Sequence, residues 1–95
     1  MKIDSNTTLK ELFKIAKDTV NEVEPGEEFI VKELFRGFEW NRISKGNRTK
    51  LGGQFFSFAQ NAGNGFIEIL GKTAQNQQKY RKLDITIRNS EISIN

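Results

Sequence analysis

Phe66-Ile67-Glu68-Ile69-Leu70 and Leu83-Asp84-Ile85-Thr86-Ile87 are two β-prone apolar runs, and the segment Thr73-Ala74-Gln75-Asn76-Gln77-Gln78-Lys79-Tyr80-Arg81-Lys82 between them is rich in amides and cations. That order predicts a β-hairpin with the polar stretch at its tip. Amide and guanidinium groups suit nucleic acid, because phosphate attracts positive charge and base edges accept and donate in bidentate pairs. The same composition also suits a solvated loop, so what precedes the hairpin decides between them.

Upstream, Leu51, Phe55, Phe58, Ala59 and Ala62 recur at helical spacing, which predicts a helix over 48–62 with Lys50, Gln54, Ser57, Gln60 and Asn61 facing outward. Ser44-Lys45-Gly46-Asn47 reads as the turn before it, with Gly46 or Asn47 able to take a positive φ, and Gly63-Asn64-Gly65 ends it. Gly52 and Gly53 each cost about 1 kcal/mol relative to Ala inside a helix. Close approach to a neighbouring element, or to a nucleic-acid backbone, would account for them.

Earlier still, Thr8-Leu9-Lys10-Glu11 is a capping box. The apolar positions Leu9, Leu12, Phe13, Ala16, Val20 and Val23 then predict an amphipathic helix ending before Pro25-Gly26. Phe29-Ile30-Val31 is a short strand and Lys32 to Arg36 a short helix closed by Gly37. Trp40 reads as a core anchor, given the area an indole buries.

The expected fold is α+β: a small winged helix-turn-helix-like domain of three helices, a short strand and a C-terminal β-hairpin wing. The 95 residues suffice for one core and not two, so a single domain over 1–95 is expected. It divides into an acidic N-terminal helix (1–26), a winged-helix-like unit with a basic surface (27–88) and a tail (89–95). The net charge of +3 is unevenly placed: residues 1–28 hold four lysines against seven carboxylates, and the remainder carries +6. A polyanion would meet the second part and be repelled by the first.

With neither Cys nor His, thiolate metal sites, disulfides, Cys nucleophiles and imidazole bases are excluded. The remaining carboxylates, Lys and Ser show no spacing that pairs an acid with a base, so the chain reads as a non-enzyme without cofactor or metal. The N-terminal residues lack a signal-peptide pattern and no run approaches a membrane span, so the expectation is a cytoplasmic protein.

Glu28 to Lys82 carries a further signal, with Phe29, Leu34-Phe35, Glu39-Trp40, Lys45-Gly46-Asn47-Arg48, Leu51-Gly52, Phe55 and Gln77-Gln78-Lys79-Tyr80-Arg81-Lys82 in order. It resembles the small domain-of-unknown-function family fourteen-thirteen, single-domain proteins of Gram-positive bacteria, their phages and mobile elements. The resemblance implies a fold more than a function, leaves the capped first helix and the tail outside it, and is broken at Gly53, where a longer side chain is expected.

The functional expectation is a small transcriptional regulator that binds double-stranded DNA, with helix 48–62 in the major groove and a 71–82 wing on the backbone and minor groove. Lys45, Arg48 and Lys50 would neutralise phosphate, aided by the helix dipole. Gln54, Ser57, Gln60 and Asn61 would face base edges. In the wing, Lys72, Lys79 and Arg81 would hold the backbone while Gln75, Asn76, Gln77 and Gln78 probe the minor groove. A homodimer through the first helix would supply the area one module lacks. The alternative is a phage- or mobile-element protein-interaction module that inhibits a host nucleic-acid-processing or defence complex.

Overall fold

In the computed structural model, which describes residues 3–84, the chain is α+β with three helices and one three-stranded antiparallel sheet. The order is α1 (Leu9–Val20), β1 (Glu28–Ile30), a 3-10 turn (Val31–Leu34), α2 (Gly37–Trp40), α3 (Lys45–Gln60), β2 (Ile67–Lys72) and β3 (Gln78–Lys82). The sheet order is β1-β3-β2, so the last strand is the central one. No helix among the described residues is long and apolar enough to cross a membrane.

Helix α1 starts where its cap predicts: the Glu11 N–H donates to Thr8 Oγ1 at 3.2 Å. Leu12, Ala16 and Val20 are buried, with Leu9, Phe13, Ile15 and Val23 packed at the margin. The helix ends at Val20, earlier than Pro25 would require, and the chain leaves through i→i+3 bonds from Glu22 to Thr19 and Val23 to Val20. Lys82 sits at this exit. Its ammonium donates to Val20 O at 2.8 Å and Val23 O at 3.1 Å, supplying a cation to a helix C-terminus. The same residue closes the Pro25-Gly26 turn, where Gly26 has φ +89: its carbonyl accepts from Gly26 N–H and its N–H donates to Glu27 O.

Three local expectations are corrected. The short helix expected over Lys32–Arg36 is a 3-10 turn at Val31–Leu34 followed, after extended Phe35 and Arg36, by α2. Spacing of three suits the two buried side chains Val31 and Leu34, and Glu33 Oε1 takes the Ile30 N–H at 3.0 Å. Second, Lys45-Gly46-Asn47 is not a turn but the first turn of α3. Ser44 is its N-cap, accepting from the Asn47 N–H at 3.2 Å, and this capping bond outweighs the low helix propensity of Gly46. The turn between α2 and α3 is therefore only 41–44.

Third, the second hairpin strand is Gln78–Lys82, not Leu83–Ile87, so the expected tip is half strand. Of the expected strand, Leu83 and Asp84 lie beyond the sheet and 85–87 fall outside the described residues. Pairing runs Ile67 to Lys82, Glu68 to Arg81 and Ile69 to Tyr80, with an irregularity before Lys72 meets Gln78. A strand this polar is tolerated because its charges are met on both sides. Arg81 contacts Glu28 of β1 at 3.1 Å and Glu68 of β2 at 3.0 Å, and Lys79 contacts Glu28 at 2.7 Å. The true tip is 73–77, closed by Thr73 N–H to Gln77 O and bent at Asn76, whose φ is +64.

The core centres on Tyr80, which is fully buried. Phe29 stacks on it with centroids 5.6 Å apart, and Phe55 meets it edge-on at 5.1 Å, joining α3 to the two adjacent strands. Phe58 extends the cluster to Phe13 of α1 and to Phe66. Ile3 is held by α2 and the turn after it: its N–H donates to Glu39 Oε2 at 3.0 Å, and Arg42 donates to its carbonyl at 2.7 Å. Glu39 is thereby a buried carboxylate with both a backbone donor and Arg36 beside it.

Replacing Lys82 by Met keeps an apolar stem of similar length and removes the ammonium from the Val20 and Val23 carbonyls, of which Val20 O keeps only the Val23 N–H. We expect a loss of about 1.5–3 kcal/mol in urea unfolding monitored by circular dichroism; a change within about 0.5 kcal/mol would contradict the helix-closing role, being what an ordinary surface site gives.

Candidate functional site: the groove between α3 and the hairpin

A groove of about 670 Å³ runs between α3 and the hairpin. Its α3 wall follows from helical spacing. With α3 starting at Lys45, residues Lys45, Arg48, Thr49, Gly52, Gly53 and Phe56 share one side, three and four apart. Leu51, Phe55 and Ala59 occupy the neighbouring buried side and tie the helix to the core.

The opposite wall comes from the hairpin: Lys72, Asn76, Gln77 and Gln78 line it. Ile30, Val31, Trp40 and Tyr80 add an apolar interior, and Lys32 adds a fourth cation to Lys45, Arg48 and Lys72. No carboxylate lines the groove among the described residues. The charged side chains that an anion entering it meets are therefore all cationic.

The paired glycines gain an explanation here. A Cβ built on either Gly52 or Gly53 would meet nothing within 4 Å, so neither is required for packing against another part of the described chain. Their effect is to leave α3 low and its backbone bare along the groove. Trp40, expected in the core, is only partly buried: it packs on Phe35 with centroids 5.5 Å apart, while Arg48 Cζ lies 5.5 Å from its ring. Two polar atoms of groove-lining side chains are buried without a hydrogen-bond partner, Arg48 Nε and the Tyr80 hydroxyl. Burial pushes the Tyr80 phenol up to about 12, so it keeps its proton at neutral pH.

The sequence-predicted site residues separate into three groups. Lys45, Arg48, Lys72, Asn76, Gln77 and Gln78 converge on the groove. Lys50, Gln54, Ser57, Gln60 and Asn61 are exposed on or just after α3 but do not line it, and Gln75 is exposed at the hairpin tip. Lys79 and Arg81 alternate with Tyr80 and so occupy the other face of the sheet, engaged with Glu28 and Glu68. Two amides are partly committed inside the chain: Gln78 donates to the Leu70 carbonyl and to Lys79 O, and Asn61 donates to Ser57 O at 2.7 Å.

Sequence reasoning missed Lys32, Trp40, Phe56 and Tyr80 as groove-lining residues. A signal existed for Phe56, since Lys45, Thr49, Gly52 and Phe56 fall on one helical side once the helix begins at Lys45 rather than Arg48. None existed for Lys32 or Tyr80, whose positions depend on the pairing of β1 with β3.

The chain belongs to the family described as Domain of unknown function (DUF1413), whose model matches residues 14–82. The match includes most of α1, which the sequence resemblance left outside, and ends with β3 at Lys82. No curated protein and no solved structure matches the chain.

Two outcomes test this geometry. Gly53→Ala adds a methyl to open space within a helix and should stabilise the fold by about 0.5–1 kcal/mol; destabilisation would mean the glycine does serve internal packing. The second concerns Glu28, whose carboxyl is held below its ordinary range by hydrogen bonds from Lys79 and then Arg81. A depressed folded-state pKa contributes stability that is present above the unfolded value and lost as pH falls through the folded one. The stability gap between the wild type and Glu28→Gln should accordingly be open at pH 7 and close below about pH 4; a gap constant across that range would rule out the ion-pair origin.

Proposed function

For this member of the family we propose a non-catalytic double-stranded-DNA-binding role, that of a small cytoplasmic transcriptional regulator with a winged helix-turn-helix fold. The element order α1-β1-α2-α3-β2-β3, the sheet order β1-β3-β2 and the tight 41–44 turn before α3 support that fold. In it α3 enters the major groove and the 73–77 tip follows the adjacent backbone.

One observation carries the reading: the cations and amides of the α3 N-terminus and of the hairpin, 24 or more residues apart in sequence, face the same carboxylate-free groove. Lys45, Arg48 and Lys72 would hold phosphate, with Lys50 beside them on the outer side of α3. The bare backbone at Gly52-Gly53 allows a sugar-phosphate strand to approach the helix closely. Gln54, Ser57 and Gln60, exposed on α3, are the side chains offered to base edges, and Gln75, Asn76 and Gln77 those offered by the wing. Lys79 and Arg81 contribute less, since their pairs with Glu28 would have to open. One such module buries only about 600–1,000 Å² on DNA, so useful specificity calls for a dimer. The exposed, mostly charged side of α1 would supply its contact.

Fluorescence anisotropy of labelled duplexes, random and from the protein's own upstream region, tests the proposal across a salt series. Four phosphate contacts predict a slope of log K against log salt of about −3 to −4, reduced by about 1 in Lys72→Gln. Gln54→Ala with Gln60→Ala should erase the preference for one sequence while leaving salt-sensitive binding. Absence of binding even at low salt would overturn the DNA reading and favour a protein partner.

A further inference from the structure

The groove holds more than a phosphate backbone needs. Phosphate binding requires cations at a surface, and Lys45 and Lys72 at the lips provide them. Beneath the lips lies an interior of Val31, Trp40, Phe56 and Tyr80 that a strongly hydrated sugar-phosphate strand would not use. Its volume of about 670 Å³ is within the range of about 300–1,000 Å³ typical of small-molecule sites, and its make-up has the same form: apolar walls with a few polar groups.

Those polar groups define what the site lacks. Tyr80 is 0% exposed and its hydroxyl has no partner, and Arg48 Nε is likewise buried and unpaired. Such groups are rare in folded chains because each forfeits its hydration without a replacement bond. A protonated phenol and a guanidinium nitrogen are both donors. The missing partner is therefore an acceptor, and the surrounding lysines favour a negatively charged one. The helix wall at Gly52-Gly53 is flat and open, with room for a ring beside the backbone.

We propose that the groove between α3 and the hairpin is a binding site for a small organic anion with a planar apolar body, of the aromatic carboxylate class. Its carboxylate accepts from Tyr80 and Arg48, and its ring lies along Gly52-Gly53 between Phe56 and Trp40. The anion would share Arg48 and the Gly52-Gly53 wall with the DNA strand of the regulator reading, so its binding is measured without DNA and its failure is distinguishable from failure of that reading.

The experiment is a titration of the isotopically labelled full chain by amide and indole NMR, without DNA, using 2-naphthoate as the probe. 2-Naphthylmethanol serves as the neutral ring and acetate as the anion without a ring. We expect saturable shifts confined to the groove-lining segments 30–32, 45–56 and 72–80 and the Trp40 indole, with a dissociation constant on the order of 0.1–1 mM. Both control compounds should bind about tenfold more weakly or worse. Tyr80→Phe should weaken naphthoate about tenfold while raising the melting temperature, because it deletes an unpartnered buried hydroxyl. A merely structural tyrosine would not combine those two changes. Gly52→Leu, which improves helix propensity and fills the ring position, should abolish the shifts in a folded protein. The proposal is overturned if naphthoate gives no saturable shifts, if 2-naphthylmethanol binds equally well, or if both variants titrate like the wild type.

Discussion

The structure depends on placing a strand with three cations, Gln78–Lys82, in the centre of the sheet. β3 carries Lys79, Arg81 and Lys82 around Tyr80, and the three charges are met from three sides, Lys79 and Arg81 sharing Glu28. Glu28 comes from β1, Glu68 from β2, and the end of α1 and the turn after it each present a carbonyl to Lys82. Tyr80 meanwhile anchors the strand to Phe29 and Phe55. One strand thus ties together the sheet, the first helix and the third, with charge pairing fixing register on one face and ring packing fixing the helix on the other. The exposed pairs are individually weak by nature. Their combined effect is to make a strand of cations compatible with a position between two neighbours.

The groove follows from this arrangement. Because β3 is held by β1, the 3-10 turn after β1 comes beside the hairpin, bringing Lys32 toward Lys72. Because Phe55 locks α3 onto Tyr80, the glycine side of α3 turns toward the hairpin and stays uncovered. Side chains that would ordinarily fill such a space are absent at Gly52 and Gly53. The fold therefore tolerates a helix-weakening pair in return for an open, positively charged concavity, a conflict of local and global preference of the kind found at functional sites.

Much of the helical architecture was legible in the residues. Thr8 with the spacing of Leu12, Ala16 and Val20 specified α1, and Leu51, Phe55 and Ala59 specified the buried side of α3. Lys45, Arg48, Lys72, Asn76 and Gln77 were recognisable as site candidates from charge and amide content. The second hairpin strand was not legible, because its cations resemble a loop until their partners are known. Arg81 and Glu28 are 53 residues apart, and no local window contains both. The same limit hid Tyr80 and Lys32 as parts of the groove, and it made Lys79 and Arg81 look as available as Lys72.

What the sequence alone determined was local: where α1 begins, which sides of α1 and α3 are apolar, the lack of Cys and His chemistry, and the accumulation of positive charge after Glu28. Capping bonds and hydrophobic periodicity act within a few residues, so they can be read from a single chain. The tertiary structure decided which polar residues are neutralised and which remain free. It also left Tyr80 buried without a partner and set the glycines of α3 opposite the hairpin. Those outcomes depend on strand pairing between distant segments, where the burial of one aromatic residue and the pairing of three charges select a register that composition cannot reveal.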